Sequence, residues 1–375
     1  MAVKPSEPAA DAIIIGAGAI GLSTAVHLAR SGLAVRVLDR NGPGQEASWA
    51  GGGILSPLHP WRYADPLLKL AQKGMAEYPA FAAGLLEATG IDPEWQRSGM
   101  WVLGTAAAPL PDQAVDWGAS WNWHWERIDR QEFSRREPGL RACGGDAIFC
   151  PDVAQVRNPR LLSALERYCA LLGVSLHPGE EVVRLQRLPG SRLLVQTCHG
   201  SWTAPHVILA AGAWSGQFLS GTIGLSLPVR PVLGQMVLLQ GEAGQLAHIV
   251  LEGEHYLVQR RDGKILAGST SEDRGFDKPV TQEAATELLQ FAHRVFPSSE
   301  KYPVLRQWAG LRPGSPGNIP FIGPVPEWEG LYAATGHFRY GLTTAPVTAA
   351  ILDAVVTGKP PPLDIAPYAV ALPSS

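Results

Sequence analysis

Ala12-Ile13-Ile14-Ile15-Gly16-Ala17-Gly18-Ala19-Ile20-Gly21 decides how this chain folds. The run Ile13-Ile14-Ile15 lacks the polar alternation of a half-solvated strand and predicts a strand buried on both faces. Leu22, Ala25, Val26 and Ala29 then recur at helical spacing, and Gly32 supplies a C-terminal stop. Val35-Arg36-Val37-Leu38 reads as a second strand, ended by Asp39. Together they form a βαβ unit, whose crossover is right-handed. In Gly16-x-Gly18-x-x-Gly21 the first glycine makes the turn and the second lets backbone approach a pyrophosphate. The third lets helix pack on strand, and the helix N-terminus favours the anion. Asp39, 23 residues after Gly16, is placed to accept hydrogen bonds from a ribose. The motif predicts a bound dinucleotide without choosing between FAD and NAD.

Working outward, Ala12 to Ala29 carries no charged side chain over 18 residues. That approaches the ~20 residues of a membrane-spanning helix. Gly16, Gly18 and Gly21 interrupt it and only Lys4 is basic ahead of it, so no integral membrane segment or signal peptide is expected. Residues 1–10 read as a polar leader, and 42–57 as a run of small residues where backbone passes close to something. Residues 66–90 suggest a helix pair. Trp101, Trp117, Trp121, Trp123 and Trp125 break the α/β rhythm and mark a second domain, as core or subunit contacts more than as a ligand cage. A helix is expected from Asn158-Pro159 to about Leu172, then short strands near 174–177, 181–186 and 193–197. Val207 to Ala211 is a strand that ends in Gly212-Ala213-Trp214. Residues 229–270 read as antiparallel strands and 281–296 as a helix. Leu331 to Gly336 then repeats the strand-to-glycine pattern ahead of a helix over 342–357, which suggests one nucleotide fold assembled from three pieces.

Composition narrows the function. Net charge is −3, charged residues make up 17% and hydrophobic residues 46%, so neither a disordered chain nor a nucleic-acid coat fits. Cys143, Cys150, Cys169 and Cys198 form no CxxC pair, which points to reduced thiols in a cytoplasmic protein and to no zinc. No metal-ligand spacing surrounds His59.

Several stretches resemble a known family. They are Ile15 to Gly21, Glu46-Ala47-Ser48-Trp49-Ala50-Gly51-Gly52-Gly53-Ile54, His255-Tyr256-Leu257-Val258, Ala309-Gly310-Leu311-Arg312-Pro313 and Gly336-His337-Phe338-Arg339-Tyr340-Gly341-Leu342. From about Asp11 to Tyr368 the chain is similar to the D-amino-acid oxidase family of FAD-dependent amine oxidases, and within it to the bacterial glycine oxidases linked to thiamine biosynthesis. The resemblance implies an α/β fold, with a discontinuous Rossmann-like FAD-binding domain of the glutathione-reductase type. Its segments would be 11–80, 145–222 and 318–370, and an α+β substrate-binding domain with an antiparallel sheet would take 81–144 and 223–317. It also implies oxidation of glycine, sarcosine or small D-amino acids by hydride transfer to flavin N5. Oxygen would re-oxidise the cofactor, giving a 2-oxo acid, ammonia and hydrogen peroxide. A homo-oligomer, tetramer or dimer, goes with this.

Residue by residue, the resemblance sets Gly16, Gly18, Ala19, Ile20, Gly21, Asp39 and Arg40 at the pyrophosphate and adenosine end, and Val182 at the adenine. Ala47, Ser48, Gly52, Gly53 and Ile54 would lie along the flavin, with Gly212 nearby. His337, Phe338, Arg339, Tyr340, Gly341, Leu342 and Thr343 would wrap the pyrimidine edge. Arg312 would hold the substrate carboxylate, with Tyr256 and Arg339 alongside. Tyr340 stands where the glycine oxidases usually have Asn, and Asp39 where Glu is common.

These roles suit the chemistry. A planar guanidinium binds a carboxylate through two parallel hydrogen bonds. A flavin carries the electrons, which leaves the protein to position and tune. No obligate base stands out, so the site is expected to desolvate the substrate and favour its neutral amine. Cys198 is the last cysteine, which argues for non-covalent FAD. A secondary-amine oxidase of the sarcosine type, a dehydrogenase passing electrons to another carrier, and a silent flavin-binding module stay open.

Overall fold

The computed structural model describes residues 9–105, 109–142 and 144–371. Cys143 and the first eight residues of the expected leader lie outside the described residues. Ala12–Ile15 is the centre of a six-stranded sheet. It pairs in parallel with Val35–Asp39 on one side and His206–Leu209 on the other. Ser175–Pro178 extends the sheet beyond the former, and Leu331–Thr335 beyond the latter, both in parallel. Phe321–Pro324 closes that edge antiparallel. The sheet is thus assembled from distant stretches of chain.

The isoleucine run is buried on both faces, as its composition requires. Ile14 packs with Leu22, Ala25 and Leu28 of helix Ala19–Arg30 and with Val347, Ile351 and Leu352 of helix Gly341–Val356. Ile13 and Ile15 face the opposite layer, with Leu185, Val195, Val207 and Leu209. Gly21 permits the first contact: a Cβ there would sit 1.9 Å from the Gly16 carbonyl oxygen. Gly16 itself turns the chain at φ +109°.

A second, eight-stranded sheet is joined by two three-stranded ones, Val182–Leu188, Arg192–Thr197 and Ser201–Ala204, and Ile54–Leu55, Ala154–Gln155 and Gln96–Arg97. The eight strands run in the order Val304–Gly314, Arg230–Gln240, Lys264–Gly268, His255–Gln259, Ile249–Glu252, Met100–Leu103, Ala147–Cys150 and Glu126–Ile128. Helix Gln282–Val295 covers one face through Leu288, Phe291 and Val295, which join Val237, Leu257 and Ala267 in one core.

One expectation is corrected. Residues 66–90 form one helix, Asp65–Thr89, and not a pair. Pro79 lies inside it, but Leu67, Leu70, Ala71, Gly74, Tyr78, Ala82 and Leu85 keep one buried stripe across the proline, and that packing outweighs the lost backbone bond. The strand Ala147–Cys150 pairs antiparallel with Met100–Leu103 in the eight-stranded sheet, where Met100–Leu103 in turn pairs in parallel with Ile249–Glu252. The tryptophans Trp117, Trp121, Trp123 and Trp125 pack ring against ring, and Trp61 meets Trp125 at 5.7 Å. Among the described residues no helix is long and apolar enough to cross a membrane, and no cluster of His, Cys, Asp and Glu is arranged to hold a metal. Cys150 and Cys169 are buried free thiols, and Cys198 is an exposed one.

His337, just before the last helix, is buried with its Nε2 3.1 Å from Thr348 Oγ1. Burial pushes its pKa down to about 3. The unfolded chain therefore binds a proton there that the folded chain does not, throughout the window from about pH 6.5 to about pH 3. Its neutral burial is fully tolerated above that window, and stability falls as pH drops through it, by at most about 1.4 kcal/mol per pH unit. In urea titrations His337→Gln should flatten this slope. Gly21→Ala, with its Cβ driven onto a backbone oxygen, should lower stability by ~2–3 kcal/mol in the same assay.

Candidate functional site

One cleft of about 400 Å3 runs from the glycine turn to the antiparallel sheet. At its first end the helix Ala19–Arg30 starts at Gly18 without a side-chain cap, so its opening N–H groups lack intrahelical partners. The Asp39 carboxylate accepts from Ala17 N at 2.8 Å and from Asn41 N at 2.9 Å, tying the glycine turn to the end of the second strand. Ala19 N donates to Ser48 Oγ at 2.9 Å. Gly16 fills a gap no side chain could share: its Cβ would lie 2.4 Å from the Ala210 oxygen. Beside this turn, the Arg40 guanidinium lies 3.6 Å from the Trp214 ring centroid and donates to Glu46 at 3.0 Å. Lys278 reaches the same Glu46 at 2.7 Å, and Phe276 stacks on Trp214. Glu180, buried and bonded by Thr197 Oγ1, and Val182 complete this end.

The middle is a strip of small residues, Gly51 to Ile54. Gly53 takes φ +71°, and a Cβ on it would meet the Val156 oxygen at 2.1 Å. Behind the strip the wholly enclosed Arg260 donates to Gly52 O, Val156 O and Gln155 Oε1 at 2.7–2.8 Å. Burial lowers its pKa to about 10, so it stays cationic at neutral pH. Opposite lies the start of helix Gly341–Val356, which also has no side-chain cap.

The far end gathers Arg312, Tyr256, Ser269 and Arg339. Arg312 sits on Val304–Gly314 beside Arg230–Gln240, where a Cβ at Gly234 would come within 2.2–2.4 Å of the guanidinium. That guanidinium donates to Ser269 Oγ at 2.7 Å, Thr270 O at 3.2 Å and Leu233 O at 3.4 Å. All three acceptors are neutral, and no carboxylate pairs with Arg312 among the described residues. Burial and, after it, the charge of Arg339 lower its pKa to about 10. The buried Tyr256 hydroxyl has only Met236 Sδ as acceptor, at 3.4 Å, and its ring covers Gly52. Arg339 NH1 instead meets a carboxylate, Glu254 Oε2, at 3.0 Å. Phe338, between these groups, holds φ 47°, a rare conformation for a bulky residue, and donates its N–H to Pro313 O at 2.9 Å.

Of the residues expected here, Ala19, Gly21 and Thr343 do not line the cleft. Ala19 is spent on Ser48, Gly21 on the helix–strand contact, and the buried Thr343 packs its backbone on Gly74. Asp39 lines the cleft but is already engaged by backbone N–H groups. His337 turns its ring to Thr348. His59 holds no metal cluster; its Nε2 lies 2.6 Å from Gly253 O. Sequence reasoning missed Arg260, Glu254, Ser269, Gly234 and Glu180. Only Gly234 had a readable signal, since a lone glycine inside a strand marks close approach.

The cleft suits a long dinucleotide with a flat ring: two helix starts whose N-cap residues supply no side-chain cap, glycines whose Cβ would clash, and in Arg312 a cation without an acidic partner. A family model described as FAD dependent oxidoreductase (DAO) matches residues 11–354. The chain is 43% identical over 363 residues to the glycine oxidase of Pseudomonas aeruginosa, covering 96% of this chain and 98% of that one. A 34% identical relative in Synechocystis is the bifunctional protein ThiO/ThiG, with coverage of 94% of this chain and 52% of that one. The crystal structure of Geobacillus kaustophilus glycine oxidase superposes with TM-score 0.90 at 29% identity, over 96% of this chain and 98% of that one. Iminodiacetate oxidase from Chelativorans superposes with TM-score 0.84 at 30% identity, over 96% and 98%. The chain therefore belongs to the DAO family of FAD-dependent oxidoreductases, and the cleft is where these residues would hold FAD.

Proposed function

We propose that this chain oxidises glycine and other small amines and D-amino acids, sarcosine and D-alanine among them, to the 2-oxo acid, ammonia and hydrogen peroxide. From glycine the acid is glyoxylate. One observation carries the reading: the Arg312 guanidinium points into the cleft with neutral acceptors only, so the missing anion is a substrate carboxylate. Tyr256, whose hydroxyl has only a thioether beside it, would donate to the same carboxylate. FAD, when bound, supplies the two-electron acceptor for the α-hydrogen.

The chain's own groups do the rest. Gly16, Gly18, Ile20 and Arg40 would hold the pyrophosphate and adenosine end, with Val182 at the adenine. Ala47, Ser48, Gly52, Gly53 and Ile54 would lie along the ring, and His337 to Leu342 at its pyrimidine edge. The acids lining the cleft, Asp39, Glu46, Glu180 and Glu181, belong to the glycine-turn end. None is placed to take a proton beside Arg312, so enclosure of the amine, and not a carboxylate base, would keep it neutral.

The same reading takes oxygen as acceptor and non-covalent FAD, since no cysteine lines the cleft among the described residues. It divides the chain between a cofactor domain around the parallel sheet and a substrate domain around the antiparallel one. It places the enzyme in thiamine biosynthesis, supplying glycine imine for thiazole synthesis; the resemblance to ThiO/ThiG supports this. The free cysteines fit a cytoplasmic protein, and exposed Val304 and Leu305 on an edge strand fit a homo-oligomer, dimer or tetramer.

Anaerobic titration of the holoenzyme with glycine, sarcosine, D-alanine, D-proline and L-alanine should bleach the flavin band with the small substrates, and aerobic turnover should release peroxide. No bleaching with any of them would end the proposal. Arg312→Met should keep FAD and raise apparent KM by about 100-fold, the worth of two charge-assisted hydrogen bonds. Gly234→Ala, whose Cβ overlaps a movable guanidinium and not backbone, should leave melting nearly unchanged and raise KM by about tenfold through a displaced Arg312.

A further inference from the structure

The substrate end contains two guanidinium groups, and the fold gives a carboxylate partner to one of them, Arg339, through its NH1 and leaves its buried Nε without an acceptor. Arg339 lines the cleft with its side chain 10% exposed, and its NH1 is 3.0 Å from Glu254 Oε2. Glu254, 53% exposed, occupies the turn between Ile249–Glu252 and His255–Gln259, two residues before Tyr256. The turn is pinned: His59 Nε2 lies 2.6 Å from Gly253 O, and Arg62 NH1 reaches Glu254 Oε1 at 3.3 Å. The Glu254 carboxylate is therefore fixed between two arginines, on the outer side of the cleft wall. Arg312 has no such partner.

We propose that Glu254 is a specificity determinant that restricts the site to substrates with a single carboxylate. The inference rests on the amino-acid oxidase reading above. By offsetting the charge of Arg339, Glu254 leaves Arg312 as the one of the two guanidinium groups without a carboxylate beside it, enough for one acid group. A second carboxylate, as in iminodiacetate, would approach an arginine already neutralised and a negative charge beside it, and its lost hydration would go unrepaid. In Glu254→Gln the unit charge is gone and the Arg339 guanidinium is free to serve as a second anion site.

The test uses the FAD-loaded enzyme with two readouts. The first is the ratio of kcat/KM for iminodiacetate over glycine. The second needs no turnover: dissociation constants of acetate and diglycolate, read from perturbation of the flavin band. Glu254→Gln should raise the first ratio by at least about tenfold and favour diglycolate over acetate by a similar factor, the scale of one removed like-charge contact. Glu87→Gln, the same charge change on an exposed position of helix Asp65–Thr89, should move neither. Unchanged ratios in Glu254→Gln overturn the proposal, as does wild type that already takes iminodiacetate as well as glycine. Loss of FAD from both Glu254→Gln and Glu254→Ala would make Glu254 a structural residue and also overturn it. If wild type oxidises no amino acid, the oxidase reading fails, while the acetate and diglycolate constants still decide the role of Glu254.

Discussion

A cation kept from any carboxylate organises this molecule. Burying a charge with only neutral partners is costly, and most buried guanidinium groups are paired. Here the fold holds Arg312 on three neutral oxygens and removes the Gly234 side chain to make room for it. Arg260 repeats the arrangement behind Gly52, with carbonyls and an amide as acceptors. Of the two only Arg312 lines the cleft, and it makes the substrate end a place for an anion, whose arrival offsets the cost of the buried charge. The pattern suits a site preorganised for negative charge better than one built for tight packing.

That arrangement requires the two sheets to be fixed relative to each other, and both backbone and side-chain contacts hold them. Phe338 N donates to Pro313 O, one residue from Arg312, so the loop ahead of the last helix is tied to the strand that carries the substrate cation. Trp308 Nε1 donates to Ala50 O at 2.9 Å, and a Cβ at Gly310 would lie 2.5 Å from the Ala50 Cβ. The strand Val304–Gly314 is therefore registered against the small-residue strip at two heights. Side chains can vary around such contacts, but the separation between cofactor strip and guanidinium cannot.

The features legible in the sequence were those with a local cause. The isoleucine run, the glycine spacing and Asp39 announced the βαβ unit, because strand burial, turn conformation and helix packing are decided within a few neighbouring residues. The motif around Arg312 and Tyr256 came from resemblance, and their meeting in one cleft depends on register between strands that are far apart in sequence. The Glu254–Arg339 pair joins a hairpin turn to a loop far along the chain, and no periodicity connects them. The single helix Asp65–Thr89 was illegible for the converse reason: its buried stripe runs unbroken across Pro79, and that is visible only once the helix is packed.

The cleft is also graded in charge along its length, and the grading has a chemical consequence. Its acids cluster at the glycine-turn end, where Asp39 accepts from backbone N–H groups, Glu180 from a threonine and Glu46 from Arg40 and Lys278. An ionised carboxylate that takes one or two donors keeps lone pairs for more, which suits the hydroxyl-rich nucleoside half of a cofactor. The opposite end is positive and has no free base among the described residues. A substrate ammonium brought there gains no partner and meets the field of Arg312, so the form that binds productively is the one that has shed its proton before entry. On this arrangement the protein contributes the electrostatic bias that makes the neutral amine the form it selects.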